Sequence, residues 1–370
     1  MFKNILRLAL TYNIKKESTE AENLIGSAIQ EINSKNSNIK KYIDKNLIEN
    51  YPERLDDTFA EWDSFETIDA VRNALSSKNN SVELIEANED AYNKLKEIKP
   101  EFVFNVAEGF YGASRESQIP SILEMLNIPF TGSDSITTGI SHDKSRCKEI
   151  LSYYKVPNPN FFITDKQISN GKDLQYPKFV KPLHEGSSKG IYNSSVVNNI
   201  KELNDEIERI KECYNQSALV EDFLKGKEFT AAMLGNGDEV KVLPLVEINL
   251  DLVPSDFNQI YSYEVKWFFD TRENQLDIFY CPANVSTEIY SHIEQVCKDA
   301  YKVLRLRDWA RIDVRLDEKN IPNIIEVNPL PGILPDPQDN SCYPKAARVA
   351  GMDYNRMINA VLDEAIKRYK

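Results

Sequence analysis

Two kinds of apolar patterning run along this chain. In its first part, continuous apolar runs alternate with stretches whose apolar residues recur every three or four positions. NILRLALTY (Asn4 to Tyr12), SVELIEA and EFVFNVAEG are the continuous runs, and TIDAVRNAL, DAYNKLKEI and IPSILEMLN the spaced ones. Continuous runs of this length read as buried strands and the spaced stretches as amphipathic helices. Their alternation predicts an α/β unit on a parallel sheet. Ligands of such sheets gather beyond the carboxyl ends of the strands, here near Tyr12 and Glu108–Gly109. Asp63 and Glu66 have capping-box spacing ahead of TIDAVRNAL. Residues 13–60, rich in Lys, Glu and Asn and holding the helical stretch TEAENLIGSAIQEI, read as an insertion between a strand and its helix.

The pattern then changes. DKSRCKEILSYYK reads as a helix stopped by the prolines of VPNPN. After it, KFVKP, LVEDFL, EFTAAML, VKVLPLVEI, LDIFYCPAN, ARIDVRL and NIIEVN read as strands joined by short turns. TEIYSHIEQVCKDAYKVL and DYNRMINAVLDEAIKRY carry helical stripes. This mixture predicts α+β domains with antiparallel sheets, and no internal repeat accompanies it.

Composition narrows the picture. The 370 residues are 41% hydrophobic, enough for two or three domains. A formal charge of -13 argues against a nucleic-acid backbone or an anionic membrane as partner, though not against an anionic ligand in a basic pocket. No window approaches the roughly 18 uninterrupted apolar residues of a membrane span, and the N-terminus lacks the h-region of a signal peptide. The five widely spaced cysteines, with no Cys-x-x-Cys pair, fit reduced thiols of a cytoplasmic protein. Cys281 and Cys342 have no histidine partner in sequence, so a cysteine nucleophile is not expected. His142 and His184 read as structural.

Candidate chemistry starts at RIDVRLDEKNIPNIIEVNPLPGILPD, Arg311 to Asp336. A hairpin turning at Lys319–Asn320 sets Arg311 opposite Asn328 and Asp313 opposite Glu326. Side chains alternate faces, so these four share one face. Ile312, Val314, Leu316, Ile325 and Val327 fill the other, with Asn323 a misfit. Two carboxylates and an amide oxygen suit Mg²⁺ beside substrate phosphates; the same four side chains also suit a surface ion-pair ladder. Gly332, in NPLPG, allows close backbone approach, and its N–H is a candidate donor to an oxyanion. FVKPLHEGSSKG is a strand ending near Lys181 and then a small-residue loop. Its Glu185, Gly186, Ser187 and Ser188 read either as phosphate donors or as a flexible surface loop. It is not a Walker A loop. ALVEDFLKGKEFT resembles a hinge, with Glu221 and Glu228 as carboxylates and Leu224 offering backbone between them.

In this order, FVFNVAEG, IPFTGSDS, DKSRCKEIL, FVKPLHEGSSKG, LVEDFLKGKEFT, ARIDVRL and IIEVNPLPG resemble the ATP-grasp superfamily, in its D-alanine–D-alanine ligase branch. The resemblance spans roughly residues 100–350. It implies an N-terminal α/β domain (1–132), a central ATP-grasp subdomain (133–224) and a C-terminal one (225–370), with ATP between the last two. It implies that Lys144, Lys181, Glu185, Gly186 and Ser188 bind phosphates, and that Glu221, Leu224 and Glu228 bind adenine and ribose. Lys266, on a mobile loop, reaches the transferred phosphate. Asp313, Glu326 and Asn328 hold two Mg²⁺, with Mn²⁺ as a substitute. Arg311, Ser187 and the Gly332 amide serve the reacting centre. The implied reaction joins a carboxylic acid to an amine through an acyl phosphate, releasing ADP and phosphate, in a homodimeric enzyme.

The chain departs from this pattern where substrates bind. The family's Gly-Gly-x-Ser-x-Glu segment is absent, leaving Glu17 as a substitute and Glu108 at a strand end nearby. The family's loop tyrosine is Trp267, whose indole cannot accept a hydrogen bond. Where a Ser-Leu pair follows the Pro-Gly, this chain reads ILPDPQDN, with Asp336 poor company for a carboxylate. The reading is a ligase with substrates other than two D-alanines. A true D-alanine–D-alanine ligase, an enzyme loading a carrier-protein thiol, and a catalytically silent nucleotide-binding regulator stay open beside it.

Overall fold

A computed structural model describes residues 5–15, 61–270 and 276–370. Glu17 and the predicted helix TEAENLIGSAIQEI lie outside the described residues. The first sheet has β1 (Arg7–Tyr12), β2 (Ser81–Glu86) and β3 (Phe102–Asn105), all parallel, in the order β2-β1-β3. β3 stops earlier than the apolar run EFVFNVAEG suggests. The Asn105 side chain accepts from Thr11 Oγ1 (2.7 Å) and from the Ala107 N–H (3.2 Å), which turns the chain out of the sheet. The helix Phe65–Ser76 is capped by Ser64, which accepts from the Thr67 N–H at 3.2 Å. Asp63, expected at that position, instead accepts from the Lys15 N–H through its backbone carbonyl (2.8 Å), so it is still in extended pairing one residue too early.

A second sheet is antiparallel, with β4 (Phe161–Thr164), β5 (Lys178–Pro182), β6 (Val196–Val197) and β7 (Ala218–Asp222) in the order β4-β7-β5-β6. Helix Ile200–Tyr214 buries Leu203, Ile207 and Ile210 against its Val180 and Val220. The third sheet holds β8 (Glu228–Leu234), β9 (Lys241–Val242), β10 (Val246–Ile248), β11 (Phe279–Tyr280), β12 (Trp309–Leu316) and β13 (Pro322–Asn328). Its order is β11-β10-β8-β12-β13, with β9 on β8. Ile312, Val314 and Phe229 pack with Ile293 and Ala300 of helix Thr287–Leu304, and with Cys147 and Leu151 of helix Lys144–Tyr153. Helix Lys144–Tyr153 therefore packs on the C-terminal sheet, although its sequence position precedes the central one. No helix among the described residues is long and apolar enough to cross a membrane.

The expected hairpin forms. Arg311 pairs with Asn328 and Asp313 with Glu326. Beyond Asp313 the register shifts, so that Val314 faces Ile324 and Arg315 faces Asn323. This bulge corrects the predicted apolar face: Ile324, 1% exposed, enters the core, and Ile325 lines a cavity instead. The extra residue relieves the Asn323 misfit, since Asn323 is only half-buried.

Candidate active site

β7 belongs to the second sheet and β8 to the third, so the predicted hinge, Phe223 to Lys227, is the crossing between them. Gly226 is required there, because a Cβ would stand 2.5 Å from the Leu316 carbonyl oxygen. Beside this crossing opens a cavity of about 460 Å³. Its wall brings together nearly every predicted site residue that the structure describes.

On the β12–β13 face the four polar side chains converge. Arg311 donates Nε to Asp313 Oδ1 (3.0 Å) and Nη2 to Oδ2 (2.9 Å), and Asn328 Nδ2 donates to the same Oδ2 at 3.2 Å. Lys144 Nζ lies 3.0 Å from Glu326 Oε1. Burial works against the charge of Glu326, but Lys144, Lys181 and Arg311 hold its carboxyl down at about 2. The ion-pair reading and the metal reading are thus both visible in the geometry. Each carboxylate is paired, yet the pairs line a cavity rather than the outer surface. The donor set fits Mg²⁺ with phosphate oxygens completing its shell. Among the described residues no three His, Cys, Asp or Glu side chains gather as a protein-only metal cage.

On the hinge side, Glu221 sits between two lysines, Lys148 at 2.9 Å and Lys181 at 3.3 Å. Burial opposes its charge, and Lys148 and Lys181 pull its carboxyl below the usual range. Lys181 Nζ also donates to the Ile325 carbonyl at 3.2 Å. Leu224 and Glu228 line the cavity. Glu228 pairs with Arg315 (3.1 Å), whose guanidinium stacks on Phe223 at 5.0 Å. Lys148 and Arg315 escaped the sequence reading. Both had a signal, Lys148 one helical turn after Lys144 and Arg315 two strand positions after Asp313.

The loop after β5 places Gly186, Ser187 and Ser188 on the cavity wall. Ser187 (φ 51°) and Ser188 (φ 62°) are consecutive left-handed residues with side chains, a conformation that costs energy and clusters at ligand sites. Lys144 Nζ donates to the Glu185 carbonyl at 2.5 Å, and Ser188 Oγ to the Tyr261 carbonyl at 3.0 Å. Glu185 itself pairs with Lys189 (2.7 Å) and accepts from Gln216 (2.6 Å), so its side chain braces the loop. The Gly186 N–H donates to Glu61 Oε1 at 2.6 Å. Glu61 was not legible in sequence, because it follows the long insertion.

The remaining wall is acidic. Glu108, Glu116 and Asp63 line it beside Lys15. Burial pushes Asp63 up to about 7, and burial together with Glu116 and Glu61 pushes Glu108 well above the carboxylate range. Lys266 lines the cavity near Arg311, and burial plus that guanidinium pull its ammonium down to about 8. The backbone of Trp267 lies in the short helical turn Val265–Phe269. Gly332 faces the cavity with nothing within 4 Å of where a Cβ would stand.

Asp336 departs from expectation. It is not on the cavity wall, and its carboxylate accepts from the Gln338 N–H at 2.8 Å. The wall is completed instead by Ser341 and Cys342, at the start of helix Cys342–Val349. Ser341 Oγ donates to the Gly332 carbonyl at 3.0 Å. Cys281 and Cys342 are free thiols, and burial raises both, Cys342 to about 12, which disfavours the thiolate. His142 and His184 stack 6.0 Å apart and bond to Glu116 and Asp143.

Known proteins are similar to this chain in sequence and fold. The family model described as D-ala D-ala ligase C-terminus matches residues 151–363. A Sinorhizobium fredii protein called y4sG, described as uncharacterized, is 34% identical over 72% of this chain and 75% of its own length. A D-alanine–D-alanine ligase of Bordetella avium is 32% identical over 72% of this chain and 78% of its own. One of Pelotomaculum thermopropionicum is 30% identical over 82% and 92%. The solved D-alanine–D-alanine ligase of Bacillus anthracis complexed with ATP shares the fold at a TM-score of 0.63 and 21% identity, over 98% of both chains. With a matched family model and relatives covered over most of their length, this chain belongs to the D-alanine–D-alanine ligase family, whose ATP-grasp fold it has, and is a ligase forming carbon–nitrogen bonds.

Proposed function

We propose that the chain uses ATP and Mg²⁺ to join a carboxylic acid to an amine through an acyl phosphate, with substrates other than two D-alanines. The observation that carries this reading is the opposed Asp313–Glu326 pair, set with Arg311 and Asn328 on one strand face beside the hinge cavity. Asp313, Glu326 and Asn328 would hold Mg²⁺, which supplies charge neutralisation to the phosphates. Glu221, kept ionised by Lys148 and Lys181, accepts from the adenine amino group, and Glu228 accepts from the ribose. Lys144, Lys181 and the Ser187–Ser188 loop orient the phosphates, so the acid's carboxylate oxygen meets the γ-phosphorus in line. Lys266 balances the charge of the transferred phosphoryl group. When the amine attacks, Arg311 and the Gly332 N–H receive the developing oxyanion. The start of helix Cys342–Val349, with Ser341, faces the acceptor.

Changed substrates are supported by the wall that would hold the acid. Trp267 takes the place of the family's loop tyrosine in sequence, and Asp63 and Glu108 face the cavity with their carboxyls raised. The names of the curated relatives favour a second reading, in which both substrates are D-alanine. Phosphate release from Mg·ATP across a panel of amino acids, with hydroxylamine as a trap, separates the two. A hydroxamate formed from an acid other than D-alanine supports the first. A D-alanyl dipeptide formed from D-alanine alone establishes the second. Absence of hydroxamate from a turning-over enzyme would exclude the acyl phosphate.

A further inference from the structure

We propose that Arg115 is a positioning residue for the phosphate loop, clamping Glu61 against the Gly186 N–H and so setting where the loop lies over the nucleotide's terminal phosphates. The inference rests on reading residues 185–188 as that loop.

Arg115 lies in the short turn Arg115–Ser117, with its side chain only 8% exposed. Its Nη2 donates to both oxygens of Glu61, each at 2.7 Å. Its Nη1 reaches His142 Nε2 and the His184 carbonyl, both at 2.7 Å. A guanidinium only donates, so His142 Nε2 accepts and the ring carries its proton on Nδ1. That Nδ1–H donates to Glu116 Oε1 at 2.6 Å. One cation therefore ties the N-terminal unit, the end of helix Ser135–His142 and the loop after β5 to a single point.

Glu61 passes this order on. Its Oε1 accepts from Gly186, and its Oε2 lies 3.3 Å from Lys189 Nζ. With Arg115 on both oxygens, its accepting capacity is taken up by the protein. It therefore serves the loop rather than a substrate ammonium group. The glycine is required for the contact, since a Cβ at Gly186 would stand 2.6 Å from Glu61 Oε1. Immediately downstream come the left-handed Ser187 and Ser188. Such a pair persists only when its surroundings hold it. Support from below is the Ser188 bond to Tyr261, and support from above is Glu61. Remove Arg115, and the buried carboxylate keeps as its ion-pair partner only Lys189, which it shares with Glu185. Glu61 then takes up a proton or turns away, and the Gly186 contact is lost.

Equilibrium binding of two probes tests this, namely the Mg²⁺ complex of β,γ-imido-ATP and adenosine. Arg115→Gln is expected to weaken the triphosphate analogue about tenfold while leaving adenosine within about twofold, as loss of one charge-assisted contact predicts. Glu61→Gln should do the same, and the double variant should bind no worse than the weaker single one. Equal losses for both probes would make Arg115 a general structural residue. An unchanged triphosphate affinity, or losses that multiply in the double variant, would also overturn the clamp. Wild-type protein that binds no triphosphate would remove the phosphate-loop reading itself, a result distinct from any pattern among the variants.

Discussion

Arg311 grips Asp313 through two parallel contacts, Nε to Oδ1 at 3.0 Å and Nη2 to Oδ2 at 2.9 Å. The pair joins the residue proposed to meet the oxyanion with one proposed to hold metal. Lys144 and Glu326 repeat the arrangement at 3.0 Å. In this structure each such carboxylate is paired with a cation proposed to serve phosphate chemistry, so a divalent ion would compete with the protein's own charges. Arg311→Met should therefore raise nucleotide-free Mn²⁺ affinity by about tenfold, the order expected from removing one nearby charge in a partly screened site. Loss of the free Mn²⁺ signal in electron paramagnetic resonance reads this directly. Unchanged or weaker binding would show that the fork does not guard the site.

Asp313→Asn should lower turnover by about a hundredfold or more, while costing only about 1–3 kcal/mol of stability. The check is phosphate release alongside thermal unfolding. Retained activity would remove Asp313 from the metal set.

Glu326 gives a pH test of the same face. Its carboxyl is held at about 2, below the ordinary 4.5. A depressed carboxyl contributes stability that is fully present above its unfolded value and is lost as pH falls through the folded one. After discounting for its 25% side-chain exposure, the contribution is of order 2 kcal/mol. Glu326→Gln should therefore be less stable than wild type at neutral pH, and the gap should narrow as pH falls from 4.5 toward about 2. Denaturant midpoints across that range measure it.

Lys266, pulled down to about 8, is the opposite case. Its ammonium is present below that pH and lost above it. The kcat/KM profile of the free enzyme should fall as pH rises through about 8. Lys266→Arg should carry any remaining activity further into alkali, because a guanidinium keeps its charge. An alkaline limb at the same pH in both proteins would assign it to another group.

The β13 bulge makes neighbouring isoleucines unequal. Ile324 is in the core and Ile325 on the cavity wall, its carbonyl accepting from Lys181. Ile324→Ala should cost about 3 kcal/mol, and Ile325→Ala less than about 1.5. Nucleotide affinity should respond chiefly to Ile325→Ala. The reverse order of stabilities would place the bulge elsewhere.

Much of the site was legible one strand or helix at a time. Period-two alternation put Arg311, Asp313, Glu326 and Asn328 on one face, and pairing across β12–β13 follows from that alternation. The run through LVEDFLKGKEFT carried Glu221 and Glu228 to either side of a crossing between sheets. These are local consequences of strand geometry, with the apolar face choosing the register. Asp336 was misplaced for the complementary reason. A loop's path depends on what it packs against, and ILPDPQDN carries no periodic signal to show that the cavity is closed by Ser341 and Cys342 instead.

By itself, then, the chain determined its alternating α/β start, its antiparallel remainder and the polar face of its hairpin, because each depends on short-range periodicity and on hydrophobic burial. Only the tertiary structure decided that Ile324 rather than Ile325 enters the core, since a single bulged residue leaves the pattern of residue types unchanged. It alone brought Glu61 and Arg115 to Gly186, and Lys148 to Glu221. Those contacts join residues far apart in the chain, and buried charges find their partners only once separate units close around one cavity.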